Sequence, residues 1–174
     1  MQSVAPGRER QRVEGRHTMD RLVAEARLKQ VLCGKYTLES VLGVGGMATV
    51  YRATHRNDHK ATVKILHPHL AAYAGIRERF VKEAYTANRL EHPGALSITD
   101  DDVAEDGAAF LVMELLDGET LDAWSERCGP ALPPAEVSRA MHDVLDVLIA
   151  AHRHGVIHRD LKPEIGRASC RERV

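Results

Sequence analysis

Cysteine is scarce in this chain, with only Cys33, Cys128 and Cys170 among 174 residues. They are odd in number, far apart and never in a CxxC pair. That excludes a disulfide framework and a zinc knuckle, and it fits a reducing compartment. A dominant charge is missing too: 24 Lys and Arg against 25 Asp and Glu leave a formal net charge of -1. With no global basic field, neither nucleic acid nor an anionic membrane is an expected partner. No apolar run approaches the length that spans a bilayer. The N-terminus carries arginines without an apolar stretch behind them, so it does not read as a secretory signal. Internal repeats and low-complexity tracts are absent. What remains is a soluble, cytoplasmic protein with enough chain for one domain and a real core.

The chain divides by composition. Residues 1–18 hold Arg8, Arg10, Arg12 and Arg16 with almost no large apolar side chain. Such a segment cannot offset its ordering entropy and is expected to be a disordered basic tail, or sequence upstream of a start at Met19. Residues 19–35 read as an N-terminal helix and linker. Leu22, Val23, Ala26 and Val31 form one stripe over Asp20 to Leu32, and Gly34 is the expected stop.

Residues 36–116 read as a small α+β lobe. Tyr36 to Leu42 and Ala48 to Thr54 are β-rich and flank GVGG, the mark of a hairpin with a glycine tip. Ala61 to Leu66 is a third strand. A helix follows from about Ile76 to Leu90, because Ile76, Phe80, Val81, Ala84, Ala87 and Leu90 recur at three and four. Leu96 to Val103 and Ala108 to Leu115 complete five strands around one long helix. From Asp117 the pattern turns helical, with Leu121 to Arg127 and then Pro133-Pro134 to about His154. The second of these is apolar over most of its circumference near its end and needs partners on several sides.

Four stretches carry chemistry. Glycines at a hairpin tip, Gly43, Gly45 and Gly46, let backbone N–H groups approach phosphates that a Cβ would hold off. Lys64 ends an apolar strand, where a buried ammonium needs a partner, and Glu83 on the following helix offers a carboxylate. FLVMELLDGETL spans residues 110–121. GVIHRDLKPE spans 155–164, with a short apolar pair feeding His158, Arg159 and Asp160 into a turn. Ten histidines raise a metal reading, above all His67 with His69 and His152 with His154. Neither pair has a carboxylate or cysteine set at ligand spacing, so no metal site is expected there.

In this order the four stretches resemble the bacterial eukaryotic-like serine/threonine protein kinase family, with GGMATVY and HRDLKPE close to its usual wording. The resemblance implies a kinase-like fold over 36–164: a complete five-stranded N-lobe, a hinge, and the first helices and catalytic loop of a helical C-lobe starting at 117. It implies ATP and Mg2+ as cofactors and Ser or Thr hydroxyls of proteins as acceptors. The glycine loop becomes Leu42, Gly43, Val44, Gly45, Gly46, Met47, Ala48, Thr49 and Val50, with Ala48 in place of the family's third Gly. Lys64 would contact the α- and β-phosphates and pair with Glu83. Thr62 stands where a small Ala would roof the adenine. Met113 would lie at the back of the adenine pocket, Glu114 and Leu116 would offer backbone to the adenine edge, and Glu119 or Asp122 would reach the ribose. Asp160 would act as base, with Lys162 beside the transferring phosphoryl group. His158 is read as structural.

The family's magnesium-binding Asn should follow Glu164, but Ile165 stands there. Residues 165–174, IGRASCRERV, resemble a translated short-read sequencing adapter and are set aside from functional reasoning. Without that Asn and the D-F-G Asp, the chain as written is expected to have no useful kinase activity and to be prone to aggregation. A nucleotide-binding pseudokinase and a small-molecule kinase of the same fold are the alternatives that these residues leave open.

Overall fold

The computed structural model describes residues 19–90, 92–129, 132–158, 161 and 167–168, with the backbone alone at 83, 87, 167 and 168. The chain forms two compact units: one runs through Val81 and includes Thr99–Met113, and the other holds Lys82–Ile98 and everything from Glu114.

In the first unit, helix α1 covers residues 19–26, six residues short of the expected end at Leu32. The ladder to the next strands captures the segment instead. Lys29, at φ 71°, donates its N–H to Leu38 O at 2.8 Å, and Leu38 N donates back to Gln30 O at 2.9 Å. Val31–Leu32 is therefore a strand, β1, with Leu32 fully buried. Gly34 caps no helix. With Cys33 it forms the centre of the three-residue connection to β2 (Tyr36–Val44): both are at positive φ, and Lys35 N closes the turn by donating to Leu32 O at 2.8 Å. The five expected strands are all present. After β2 come β3 (Ala48–His55), β4 (Lys60–Leu66), β5 (Ile98–Val103) and β6 (Ala109–Glu114), and β1 adds a sixth at the edge. The sheet order is β1-β2-β3-β4-β6-β5.

Alternation along the strands sorts the sheet's faces. Tyr51 and Ala53 on β3 pair with Val63 and Ala61 on β4, and these join Leu38, Phe110, Val112 and Ala24 in one buried cluster. The N-terminal segment is part of this core. Ala24 is 1% exposed and its carbonyl accepts from the Tyr51 hydroxyl at 3.2 Å. Arg27 pairs with Asp106, and Cys33 N donates to Glu105 Oε1 at 3.0 Å, so the β5–β6 turn grips the linker from the other side. Burial, and then the charge of Asp102, pushes the Cys33 thiol above its ordinary pKa. After β4, Pro68 at the first helical position opens a short helix, α2 (Pro68–Ala71), absent from the sequence reading; α3 (Ala74–Asn88) follows within two residues of its expected bounds.

The second unit contains β7 (Glu119–Thr120), α4 (Leu121–Cys128), α5 (Pro134–Arg153) and β8 (Arg167–Ala168), with β7 and β8 paired antiparallel. Thr120 caps α4, its hydroxyl accepting from Ala123 N at 3.1 Å. Helix α5 stops in a Schellman arrangement: Gly155, at φ 71°, donates to His152 O at 3.0 Å and Val156 donates to Ala151 O at 2.9 Å. Its apolar row Met141, Leu145, Ile149 stays about half exposed, and Ala151 is the helix's buried residue. No helix among the described residues is long and apolar enough to cross a membrane.

One glycine in this unit is fixed by packing. A Cβ at Gly94 would lie 2.5 Å from Val147 Cγ2 on α5. The same turn is tied to α5 by His92, whose Nδ1 accepts from Gly94 N at 3.0 Å while Nε2 donates to Asp146 at 3.1 Å. Gly94→Ala is expected to destabilise the unit by about 1–3 kcal/mol, the usual cost of overpacking against a stiff branched side chain. Urea unfolding followed through Trp124 on α4 is the check, and an unshifted midpoint would contradict the packing argument.

Candidate functional site

The β2–β3 hairpin sets the glycine loop. Its register pairs Gly43 with Val50 and Val44 with Thr49, with a shift between Val41 and Gly43 that loosens the ladder before the tip. Gly45 N closes the tip by donating to Ala48 O at 2.9 Å. Ala48 and Thr49 are buried at the root, while Leu42 and Met47 are exposed at 36% and 46%. A Cβ built at Gly43 or Gly46 meets nothing within 4 Å among the described residues, and neither glycine has a positive φ. Neither backbone strain nor an internal neighbour demands glycine at these two positions.

Lys64 lies across from Val50 in the β3–β4 ladder. Cross-strand partners share a face, so Lys64 stands on the face of the glycine loop's own strand and away from the buried cluster. Its Nζ sits 5.7 Å from the ring centroid of Phe80, a side chain 3% exposed on α3. That cation–π contact fixes where the ammonium points. Thr62, two residues before Lys64 on the same face, is 8% exposed. The backbone of Glu83 belongs to α3, but its side chain lies outside the described residues, and so does the expected pair with Lys64.

Met113 ends the first unit and is 7% exposed. Glu114 opens the second. Its N–H reaches Ser97 O at 3.3 Å and its Oε1 accepts from Ser97 N at 3.0 Å, which pins this residue's backbone to the 92–98 segment. Leu116 follows in irregular chain at 38% exposure. Of the two ribose candidates, Glu119 is engaged: Arg127 Nε lies 3.1 Å from both carboxylate oxygens, and this bonding holds Glu119 below its ordinary pKa. Asp122 sits in the first turn of α4. Asp160 and Lys162 lie outside the described residues. Their approach is described as far as Gly155 and His158, where the end of α5 turns the chain toward them.

Among the described residues no group of three or more His, Cys, Asp or Glu side chains is placed to hold an ion. His67 and His69 stack, with ring centroids 5.6 Å apart. His67 is buried and its Nε2 lies 2.8 Å from Gly45 O, at the glycine tip. The sequence reading had weighed His67 only as half of a metal pair. A polar residue directly after a buried strand, next to a Pro that starts a helix, was the available signal.

Against known proteins, the family model "Protein kinase domain" matches residues 36–164. Serine/threonine-protein kinase Pkn1 of Myxococcus xanthus is 40% identical over 142 residues, which is 81% of this chain and 20% of that protein. Serine/threonine-protein kinase pkn3 of the same organism is 43% identical over 131 residues, 75% of this chain and 24% of that protein. PknH of Mycobacterium tuberculosis is 39% identical over 132 residues, 75% and 21% of the two chains. Among solved structures, a crystal structure of a PknI kinase domain mutant of M. tuberculosis has a TM-score of 0.67 at 31% identity, covering 81% of this chain and 57% of that one. The chain thus spans about a fifth to a quarter of the length of these curated relatives. Over residues 36–164, with the glycine hairpin, the strand lysine and the connecting segment in family order, this chain belongs to the protein kinase domain family.

Proposed function

We propose that the chain is the nucleotide-binding part of a cytoplasmic serine/threonine kinase, which moves the γ-phosphoryl group of ATP to Ser or Thr hydroxyls of proteins. The observation that carries this reading is the ladder register that sets Lys64 opposite Val50, beside a loop whose Gly43 and Gly46 are explained by no neighbour among the described residues. Glycine at those points leaves room for phosphate oxygens to reach the backbone N–H groups of Leu42 to Val50. Lys64, held over Phe80, supplies a charge at the α- and β-phosphates, and we assign Glu83 as its partner. Met113 backs the adenine. Because the Glu114 N–H is engaged with Ser97, we assign its carbonyl to the adenine edge, together with the backbone of Leu116. Arg127 occupies Glu119, so Asp122 takes the ribose. Asp160 accepts the proton of the attacking hydroxyl, and Lys162 offsets charge on the phosphoryl group in transfer. Ile165, at the position of the family's Asn, has no side-chain ligand atom for magnesium.

The test is ATP binding by the purified chain, read calorimetrically. Lys64→Met is expected to weaken it about ten- to a hundredfold, the loss of charge-assisted bonds to phosphate. Circular dichroism and thermal unfolding should stay as in the parent chain. Equal ATP affinity in the two proteins would overturn the assignment.

A further inference from the structure

We infer that His67 is a positioning residue for the glycine loop, tethering its tip to the end of the strand that carries Lys64. The inference rests on the reading of residues 42–50 as the phosphate-binding loop.

Two bonds from one residue make the tether. The ring Nε2 of His67 lies 2.8 Å from Gly45 O, and the backbone N of His67 donates to Met47 O at 2.9 Å. With Gly45 N closing onto Ala48 O, every residue from Gly45 to Ala48 except Gly46 has a backbone group bonded within this small network. His67 is itself held from behind. Its carbonyl accepts from Leu70 N at 2.9 Å and Ala71 N at 3.1 Å, the first turn of α2, and its side chain is 4% exposed. The ring also stacks on His69.

The chemistry fixes the direction of the ring bond. A backbone carbonyl only accepts, so Nε2 carries the hydrogen in both the neutral ring and the imidazolium. The ring bond and the backbone bond together make the tether a fixed strut.

Its consequence is for the loop. Two adjacent glycines, Gly45 and Gly46, have more conformations to lose than any other pair when a ligand orders them. Anchoring the carbonyl of the first removes much of that freedom before a phosphate arrives, and preorganisation of this kind appears as affinity. Because His67 follows Lys64 by three residues on the same strand end, the strut also fixes the loop tip relative to the lysine.

The experiment uses the whole chain with ATP itself as probe, and two readouts: calorimetric affinity and backbone hydrogen exchange over Gly45 to Ala48. His67→Phe keeps a ring in the space and removes the donor; if it does not fold, His67→Ser, which has no donor within reach, replaces it. The donorless variant is expected to bind ATP about fivefold more weakly and to exchange the loop amides faster by a similar factor, the worth of one buried hydrogen bond. His67→Gln, which returns an amide donor, should restore affinity to within about twofold. Unchanged loop exchange in the donorless variant would overturn the tether. Faster exchange with unchanged ATP affinity, or failure of His67→Gln to restore affinity, would overturn the positioning role. A parent chain that does not bind ATP would overturn the nucleotide reading instead, while the exchange comparison would still decide the tether.

Discussion

Exchanging Asp160 for Asn is expected to cut phosphoryl transfer by about 10²–10⁴-fold while leaving ATP affinity within about twofold, because the amide keeps the shape of the carboxylate and loses the proton acceptor. The comparison belongs in a protein that joins residues 36–164 to a family C-lobe, with Asn at position 165 and a D-F-G motif after it. Transfer of labelled phosphate from ATP into Ser and Thr of a protein acceptor, under single turnover, measures the chemical step. Two results would count against the assignment. Full activity in the Asn variant would remove Asp160 from the chemistry. A parallel loss of ATP binding would make it a structural residue of the nucleotide site.

Phe110→Ala should cost the first unit about 3–5 kcal/mol, the range for emptying a fully buried aromatic site. Phe110 is fully buried in the centre of the cluster and meets Tyr36 edge-on, with ring centroids 6.4 Å apart. The chain has only two Phe, and the other, Phe80, lies against Lys64. Around Phe110 the cluster is largely Ala, Val and Leu, short side chains that cannot swing in to fill the space. Trp124, the single tryptophan, belongs to the second unit, so its fluorescence would miss the effect. Amide exchange in β2, β3 and β4 reads it directly, and protection within about 1 kcal/mol of the parent would contradict the packing argument.

Strand and helix positions were largely legible because their signals are local. The alternation in Tyr36 to Leu42 and in Ala61 to Leu66, and the three-and-four spacing from Ile76 to Leu90, each need only a few neighbouring residues to be read. The exceptions were segments whose structure depends on a partner far along the chain. Val31 and Leu32 continue a helical stripe in the sequence, and only their bonds with β2 make them a strand. Lys29 at positive φ gives no warning of the helix end, since a lysine carries no mark of that conformation. Helix α2 has four residues, too few for a period to show.

The candidate site divides in the same way. Residue types and order singled out Lys64, the glycine loop and the Met113–Leu116 segment as candidates, because phosphate and adenine chemistry restricts which residues serve and motif spacing is written along the chain. The choice between Glu119 and Asp122 was not written there. The proposed preference for Asp122 rests on Arg127, eight residues after Glu119, whose guanidinium bonds that carboxylate.

By itself, the sequence determined the family and the order of the longer elements, and it singled out candidate residues for meeting a nucleotide. All of these follow from local periodicity and from motifs carried on contiguous stretches. The tertiary structure alone decided that residues before Tyr36 belong to the core, through Ala24 and Arg27, and that Lys64 stands opposite Val50. It also placed the His67 ring against the Gly45 carbonyl at the glycine tip. Each of these is a pairing between segments that the chain holds apart, and side-chain direction at such a contact is set by strand register and burial.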